Sequence, residues 1–448
     1  MKTSVILTLA GVALSVSSCT FGPKWSSPEM PVPAEFRGAG VSGSTMADLP
    51  WQQVLNDAAL QSLLNDVFNN NRDLAAMMHN VDAARRYVTI ARAPIFPWLG
   101  YGASASKGMN QNGGAAIAQM GGTTSAPGSA ALNASWEIDL WGKTRKGVES
   151  AEASALESVE QFNNLRISLM RQVASGYLQL IMLDEQLEIA RAAVESYRES
   201  LELFNNQAMG GVADQLQVSS AQAALSSAEA QIPSLESQIA ELENSLSVLA
   251  GRMPGRIQRS GSMKAFAKAS SVPAGIPADV IARRPDIRAA ELSLRAANAD
   301  IGVAIASYFP SISLTGVAGY ASADLTSSLR GKHNGWGIGA SLTGPIFQAG
   351  QLRANELMKR DAFLAAKAEY EQTVLSAMSE ISTTLIQRAK LREIMNKQEE
   401  AVAAYQESVK LAAQQGLFPA QKQLASYRYQ YAACIPTLYT QLGGGWQK

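Results

Sequence analysis

The sequence predicts a mixed α and β chain in which long coiled-coil helical hairpins join four strands patterned for a transmembrane β-barrel. Three observations predict it. The chain repeats itself once, with the same order of elements in each half. Each half holds a proline-free stretch of more than sixty residues with a helical apolar stripe, too long for an ordinary globular helix. Each half also holds two short segments that alternate strictly, one residue apolar and the next small or polar.

The N-terminus reads as an export signal. Lys2 precedes an apolar run from Val5 to Val16, too short to span a bilayer, followed by Ser17-Ser18-Cys19. A Cys after small residues resembles a bacterial lipobox, so residues 1–18 are expected to be removed and Cys19 acylated. An ordinary signal with a chance Cys is the alternative. Thr20 stands where an Asp commonly signals inner-membrane retention, which favours the outer membrane. Residues 19–50 then form a lipidated, extended segment. No apolar stretch of about 18 or more residues follows, so no transmembrane helix is expected.

The first repeat covers 51–250 and the second 276–440, with a Gly- and Ser-containing connector at 251–275 and a tail at 441–448. Ile95-Phe96-Pro97 matches Tyr308-Phe309-Pro310 at an offset of 213, and Trp141-Gly142-Lys143 matches Ala349-Gly350-Gln351 at 208. Gly211-Val212-Ala213 matches Gly416-Leu417-Phe418 at 205. Each copy reads helix, β-hairpin (98–140 and 311–346), then helical hairpin (143–250 and 351–440). Proline cannot continue a helix, so Pro97 and Pro310 mark where helix becomes strand. Gly142 and Gly350 mark the return.

The strands are clean. Leu99, Tyr101, Ala103 and Ala105 alternate with Gly100, Gly102 and Ser104, and Leu132, Ala134, Trp136 and Ile138 with Asn133, Ser135 and Glu137. Ile312, Leu314 and Gly316 alternate with Ser313 and Thr315, and Trp336, Ile338, Ala340 and Leu342 with Gly337, Gly339 and Ser341. In a soluble protein the apolar face would meet a core; in an outer-membrane barrel it meets lipid while the polar face lines a lumen. Aromatics near strand ends, Phe96, Trp98, Trp136, Trp141, Phe309, Tyr320 and Trp336, suit an interfacial girdle. The Gly-, Ala-, Ser- and Asn-rich stretches 107–128 and 321–335 read as external loops.

A helix from Lys143 to Met209 would run roughly 100 Å at 1.5 Å per residue. Its stripe from Val148 through Ala151, Ala155, Val159, Phe162, Leu165, Leu169, Val173, Gly176 and Leu180 to Leu183 takes ten steps over 35 residues, a coiled-coil period of 3.5. The second copy repeats this from Gln351 to Gln415. Pro233 and Pro436, inside the return helices, are expected to kink or break them.

Four strands cannot close a membrane barrel, for which about eight is the smallest number. An open sheet would expose unpaired backbone to lipid. Membrane strands therefore require an oligomer: two chains give 8 strands, three give 12, and only the larger barrel holds an open channel.

Other classes fare poorly. Lys plus Arg is 38 and Asp plus Glu is 38, against the basic excess of a nucleic-acid binder. Charged residues make up 17%, low for a soluble domain. With two His and two Cys, neither a metal site nor a disulfide framework is expected, nor any cofactor. Cys434 reads as a buried small hydrophobe. No constellation of acid, base and nucleophile presents itself, so no catalytic residue is assigned.

Several stretches carry a family resemblance across nearly the whole chain. They include Cys19-Thr20-Phe21-Gly22-Pro23, Asn71-Arg72-Asp73-Leu74, Leu249-Ala250-Gly251 and Leu442-Gly443-Gly444-Gly445-Trp446. The sharpest is Ile276-Pro277-Ala278-Asp279 running on to Ala282-Arg283-Arg284-Pro285-Asp286-Ile287. The chain resembles the TolC-like outer-membrane efflux ducts, more closely the lipoprotein branch that partners RND pumps. That resemblance implies a homotrimer, a 12-stranded barrel in outer-membrane lipid and a tunnel of 12 helices across the periplasm. It also implies a tip that opens when a periplasmic adaptor and an inner-membrane RND pump dock, with transport of small molecules driven by the pump.

In this frame the turns at Gly211 and Gly416 form the tip. Asp214-Gln215-Leu216-Gln217 reads as a capping box, and three Asp214 could also ring the entrance. Familiar ducts carry an Arg and then two aspartates after the second turn; Phe418, Lys422 and Ala425 stand there instead. Closure by an acidic double ring is thus in doubt, leaving packing at Phe418, a Lys422 ring, or a Lys422 solvated on the outer face. Two competing functions are a type I secretion duct for proteins and a structural envelope lipoprotein without a pore.

Overall fold

The computed structural model describes residues 20–38, 45–105, 128–261, 263, 266, 275, 277–322, 334–410 and 416–446. Cys19, most of the two expected external loops and much of the connector lie outside them. After a short 3-10 turn at Met46–Asp48 come α1 (Trp51–Val54), α2 (Ala58–Asn70) and α3 (Arg72–Arg92). Strands β1 (Trp98–Ala105) and β2 (Gly128–Ile138) lead to α4 (Lys143–Met209) and α5 (Gln215–Leu249). The second half runs α6 (Pro277–Arg283), α7 (Pro285–Ala306), β3 (Ser311–Ser322), β4 (Asn334–Thr343), α8 (Gln351–Lys410) and α9 (Leu417–Gln441).

The chain divides into two compact units, each drawing on both sequence repeats. One comprises 1–28, 82–157 and 291–369; the other comprises 29–81, 158–290 and 370–448. In the first, four antiparallel strands form one sheet in the order β1-β2-β3-β4. Register is continuous across it: Leu99 pairs with Ala134, Ala134 with Gly316 and Gly316 with Ile338. Tyr101, Leu132, Ala318 and Trp336 form the next row. Directly opposed residues share a face, so the alternation of each strand becomes one apolar face and one face of mostly small and polar residues, interrupted by Trp98 and Val317.

The second unit holds the main core. Leu60, Leu64 and Val67 of α2 pack with Met170, Val173, Ala174, Tyr177 and Leu180 of α4 and with Ile435, Leu438 and Tyr439 of α9. A smaller cluster joins Ile287 to Tyr370, Val374 and Ala377. Asp57 caps α2, accepting from the Leu60 amide at 2.8 Å, and Asn71 caps α3 through the Leu74 amide at 3.0 Å.

Pro233 and Pro436 do not break their helices: α5 and α9 run through them. Around buried Pro436, side chains take up nearby carbonyls. Arg388 donates to that of Tyr431 at 3.1 Å and the Thr437 hydroxyl to that of Ala433 at 2.8 Å. Among the described residues no helix is long and apolar enough to cross a membrane.

Candidate functional site

The sheet's apolar face carries Leu99, Tyr101, Leu132, Trp136, Ile312, Leu314, Trp336, Ile338 and Leu342. It is not covered: Tyr101 is 88% exposed and Ile338 80%. A soluble domain does not leave large apolar residues in so continuous a patch. The opposite face carries Gly100, Asn133, Ser135, Glu137, Ser313, Thr315 and Ser341 together with two apolar residues, Trp98 at its end and Val317, with the Ser313 and Ser341 hydroxyls 2.7 Å apart. Among the described residues β1 and β4 each have a neighbour on one side only. The sheet is therefore a wall with an apolar side, a hydrophilic side and two open edges.

At one end of that wall lie the helix–strand junctions. Pro97 precedes β1 and Pro310 precedes β3. Gly142 and Gly350 adopt φ of 79° and 86°, left-handed conformations that favour glycine. A Cβ on Gly142 would also lie 2.8 Å from the Thr20 side chain. Asp139 caps α4 there, accepting from the Arg145 amide at 2.9 Å and the Thr144 amide at 3.2 Å. Trp141 stacks on Phe309 with ring centroids 5.0 Å apart, and Phe21 stacks on the same Phe309 at 4.5 Å. The Trp141 indole donates to the Pro310 carbonyl at 2.7 Å, and the Phe21 amide to the Trp141 carbonyl at 3.3 Å. The role of Phe21 was not legible in sequence, where its packing partners lie more than a hundred residues away.

The hairpin turns hold the other candidates. Gly211 has φ of 73° and Gly416 of 104°. Asp214 forms both halves of a capping box, its carboxylate accepting from the Gln217 amide at 2.9 Å and the Gln217 side chain accepting from its amide at 3.2 Å. Asp214 is exposed, as are Met209, Val212 and Leu216 around it. Phe418 is half-buried and packs on the main core. Lys422 is half-buried, donates to the Gln231 side chain at 2.8 Å and lies 5.8 Å from the centre of the Phe418 ring.

Polar clusters deep in the second unit went unread in the sequence. Asp57 accepts from the Tyr177 hydroxyl at 2.8 Å and the Ser260 hydroxyl at 3.0 Å. Arg259 pairs with Asp184 and Glu243. Arg284 of the sharp motif pairs with Asp286 at 2.6 Å and Glu380 at 3.2 Å and donates to the Gln441 carbonyl at 3.1 Å. Asp286 in turn accepts from the Ile287 amide at 2.9 Å in the first turn of α7. Within that motif Pro277, Val280, Arg284, Pro285 and Ile287 are buried. Cys434 is buried, and burial raises its thiol above the ordinary range.

An amphipathic, open-edged β-wall joined to paired helices tens of residues long defines a channel-forming membrane protein. The chain belongs to the outer membrane efflux protein family, whose model matches residues 63–252 and 276–417. It is 33% identical over 469 residues to the probable efflux pump outer membrane protein TtgC of Pseudomonas putida, covering 99% of this chain and 96% of that one. It is 29% identical to the cation efflux system protein CusC of Escherichia coli, covering 98% of each. Among solved structures, CusC superposes with a TM-score of 0.85 at 27% identity, over 95% of this chain and 100% of that one. The open state of the Neisseria gonorrhoeae MtrE channel gives 0.84 at 26%, over 96% and 99%. The chain is the outer-membrane duct of a tripartite efflux system.

Proposed function

We propose that three copies of this chain close a 12-stranded barrel in the outer membrane and pass small toxic molecules from periplasm to exterior. The observation that carries this reading is the sheet: four strands with an exposed apolar face, a polar face and two unpaired edges need further strands to exist in lipid. Eight strands leave little lumen, whereas twelve leave a channel. The duct itself does no chemistry. A periplasmic adaptor and an inner-membrane RND pump supply drive and selection; TtgC, named for an efflux pump, and CusC, named for a cation efflux system, support that placement.

Cys19 carries the lipid anchor in this reading, beside the junction where Thr20 and Phe21 are held. The turns at Gly211 and Gly416 form the periplasmic entrance, with Asp214 exposed at the first. Single-channel conductance in planar bilayers, measured beside the mass in detergent, tests the proposal. A trimer with small conductance that rises on substituting Asp214 or Lys422 is expected. A monomer without conductance would overturn it and favour the bridging lipoprotein.

A further inference from the structure

The internal repeat offers a template for the contacts between protomers. Within one chain, the end of the first β-hairpin meets the start of the second, so β2 pairs with β3 and Trp141 stacks on Phe309 at 5.0 Å. In the proposed trimer, the end of the second hairpin meets the start of the first hairpin of the next copy. The repeat equivalents at that seam are Ala349 for Trp141 and Phe96 for Phe309. Ala349 cannot supply an indole, so a copy of the intrachain seam would be left with a hole.

The residues to fill it are close by. Ile346 and Phe347, just before Ala349, are exposed, Phe347 at 86%, and Phe96 is 65% exposed. Within the chain none of the three is covered, whereas Trp141 and Phe309 at the equivalent seam are half-buried. The faces match as well. Leu99 and Tyr101 of β1 share the apolar face with Ile338 and Leu342 of β4, so joining β4 to a neighbouring β1 can continue the apolar band unbroken. A one-residue slip would reverse it.

We infer that Ile346 and Phe347 of one protomer pack on Phe96 of a second copy, replacing at the seam between chains the Trp141–Phe309 stack of the seam within each chain. The six seams of the barrel then alternate in chemistry: three sealed by Trp141, Phe309 and the N-terminal Phe21, three by Phe96, Ile346 and Phe347. This inference rests on the proposed trimer.

The test is crosslinking of the full-length, membrane-assembled protein in a Cys434→Ala background. A double variant, Phe96→Cys with Phe347→Cys, is treated with a short bismaleimide, whose span suits a ring-to-ring contact better than a disulfide does. Covalent dimer and trimer bands on a denaturing gel are expected, with neither single variant giving them. The Trp141→Cys, Phe309→Cys pair should crosslink within one chain, leaving the band at monomer mass. A trimer mass in detergent with no interchain band would overturn the seam while leaving the trimer standing. Labelling of both cysteines by a lipid-soluble maleimide in that same trimer would assign the patch to lipid. A monomer mass would overturn the trimer and the seam together.

Discussion

Lysine substitution at two adjacent positions of β2 separates a barrel wall from any other use of this sheet. Leu132 is the fifth of the strand's 11 residues, lies on the apolar face and is 66% exposed. Asn133 follows it on the opposite face. Eleven residues at about 3.4 Å each make a strand of about 37 Å. A tilt of about 40° reduces this to about 28 Å of height, close to the roughly 25 Å apolar band of an outer-membrane barrel. Leu132 then sits near the midplane, where a lysine costs about 2–4 kcal/mol per chain, or about 30- to 700-fold in the folding equilibrium. Asn133→Lys points into the lumen and should cost little, while shifting the ion selectivity of the pore. Urea unfolding of each variant in lipid vesicles, beside its conductance, reads both effects. Equal destabilisation by the two substitutions, or a larger loss from Asn133→Lys, would refute the assignment of faces.

Three further outcomes are expected. Asp214→Ala removes the capping box of α5 and should cost about 0.5–2 kcal/mol locally, read as faster amide exchange at Leu216 and Gln217 with the rest of α5 unchanged. Gly416→Ala should destabilise more than Gly211→Ala, since both have positive φ but only at Gly416 would a Cβ meet a neighbour, the Tyr405 ring at 2.5 Å; thermal unfolding of the two variants ranks them. Burial pushes the Tyr439 hydroxyl from its ordinary 10.0 up to about 12, so above pH 10.0 the unfolded chain loses its proton first and stability falls until about 12. Tyr439→Phe gives up the hydrogen bond to the Leu49 carbonyl at 2.9 Å, and its urea midpoint should decline less steeply with alkaline pH than that of the parent chain.

The sequence made some elements plain because their signals are local. Period two over eight to twelve residues located β1 to β4, and the Pro and Gly pairs at 97, 142, 310 and 350 punctuated them. The span of α4 follows from the absence of proline and an unbroken 3.5-residue stripe. The capping box at Asp214 needed only four consecutive residues. What escaped was non-local. Tyr177, Asp57 and Ser260 meet across separations of 120 and 203 residues, and neither periodicity nor composition marks such a triple. Pro436 lies inside a continuous α9, packed among buried residues that no local signal around it announces. Lys422 meets Gln231 across 191 residues, and nothing near it in sequence announces that contact.

That anchoring of Lys422 bears on how the proposed entrance can respond to a partner. Over its first three turns α9 is tied to each neighbouring helix. Lys422 binds Gln231 of α5, Gln186 of α4 donates to the Ser426 hydroxyl at 3.0 Å, and Arg428 pairs with Glu185 of α4 at 3.2 Å and Glu399 of α8 at 2.9 Å. Partly exposed ion pairs contribute about 0.2–1 kcal/mol each, and one charge-assisted hydrogen bond about 1.5–3 kcal/mol. With about 0.5–1.5 kcal/mol for the neutral Gln186–Ser426 bond, the set amounts to about 2–6 kcal/mol per chain. Swinging a two-state equilibrium from 1:99 to 99:1 takes about 5.5 kcal/mol of differential binding. In a trimer three such sets act together, so side-chain links of this kind suffice to hold the second hairpin in place without an acidic double ring, at whose positions Lys422 and Ala425 stand. A docking partner must then bind the displaced arrangement more tightly by at least that amount, which makes the exposed Met209, Val212 and Leu216 at the neighbouring turn a natural place to gain it.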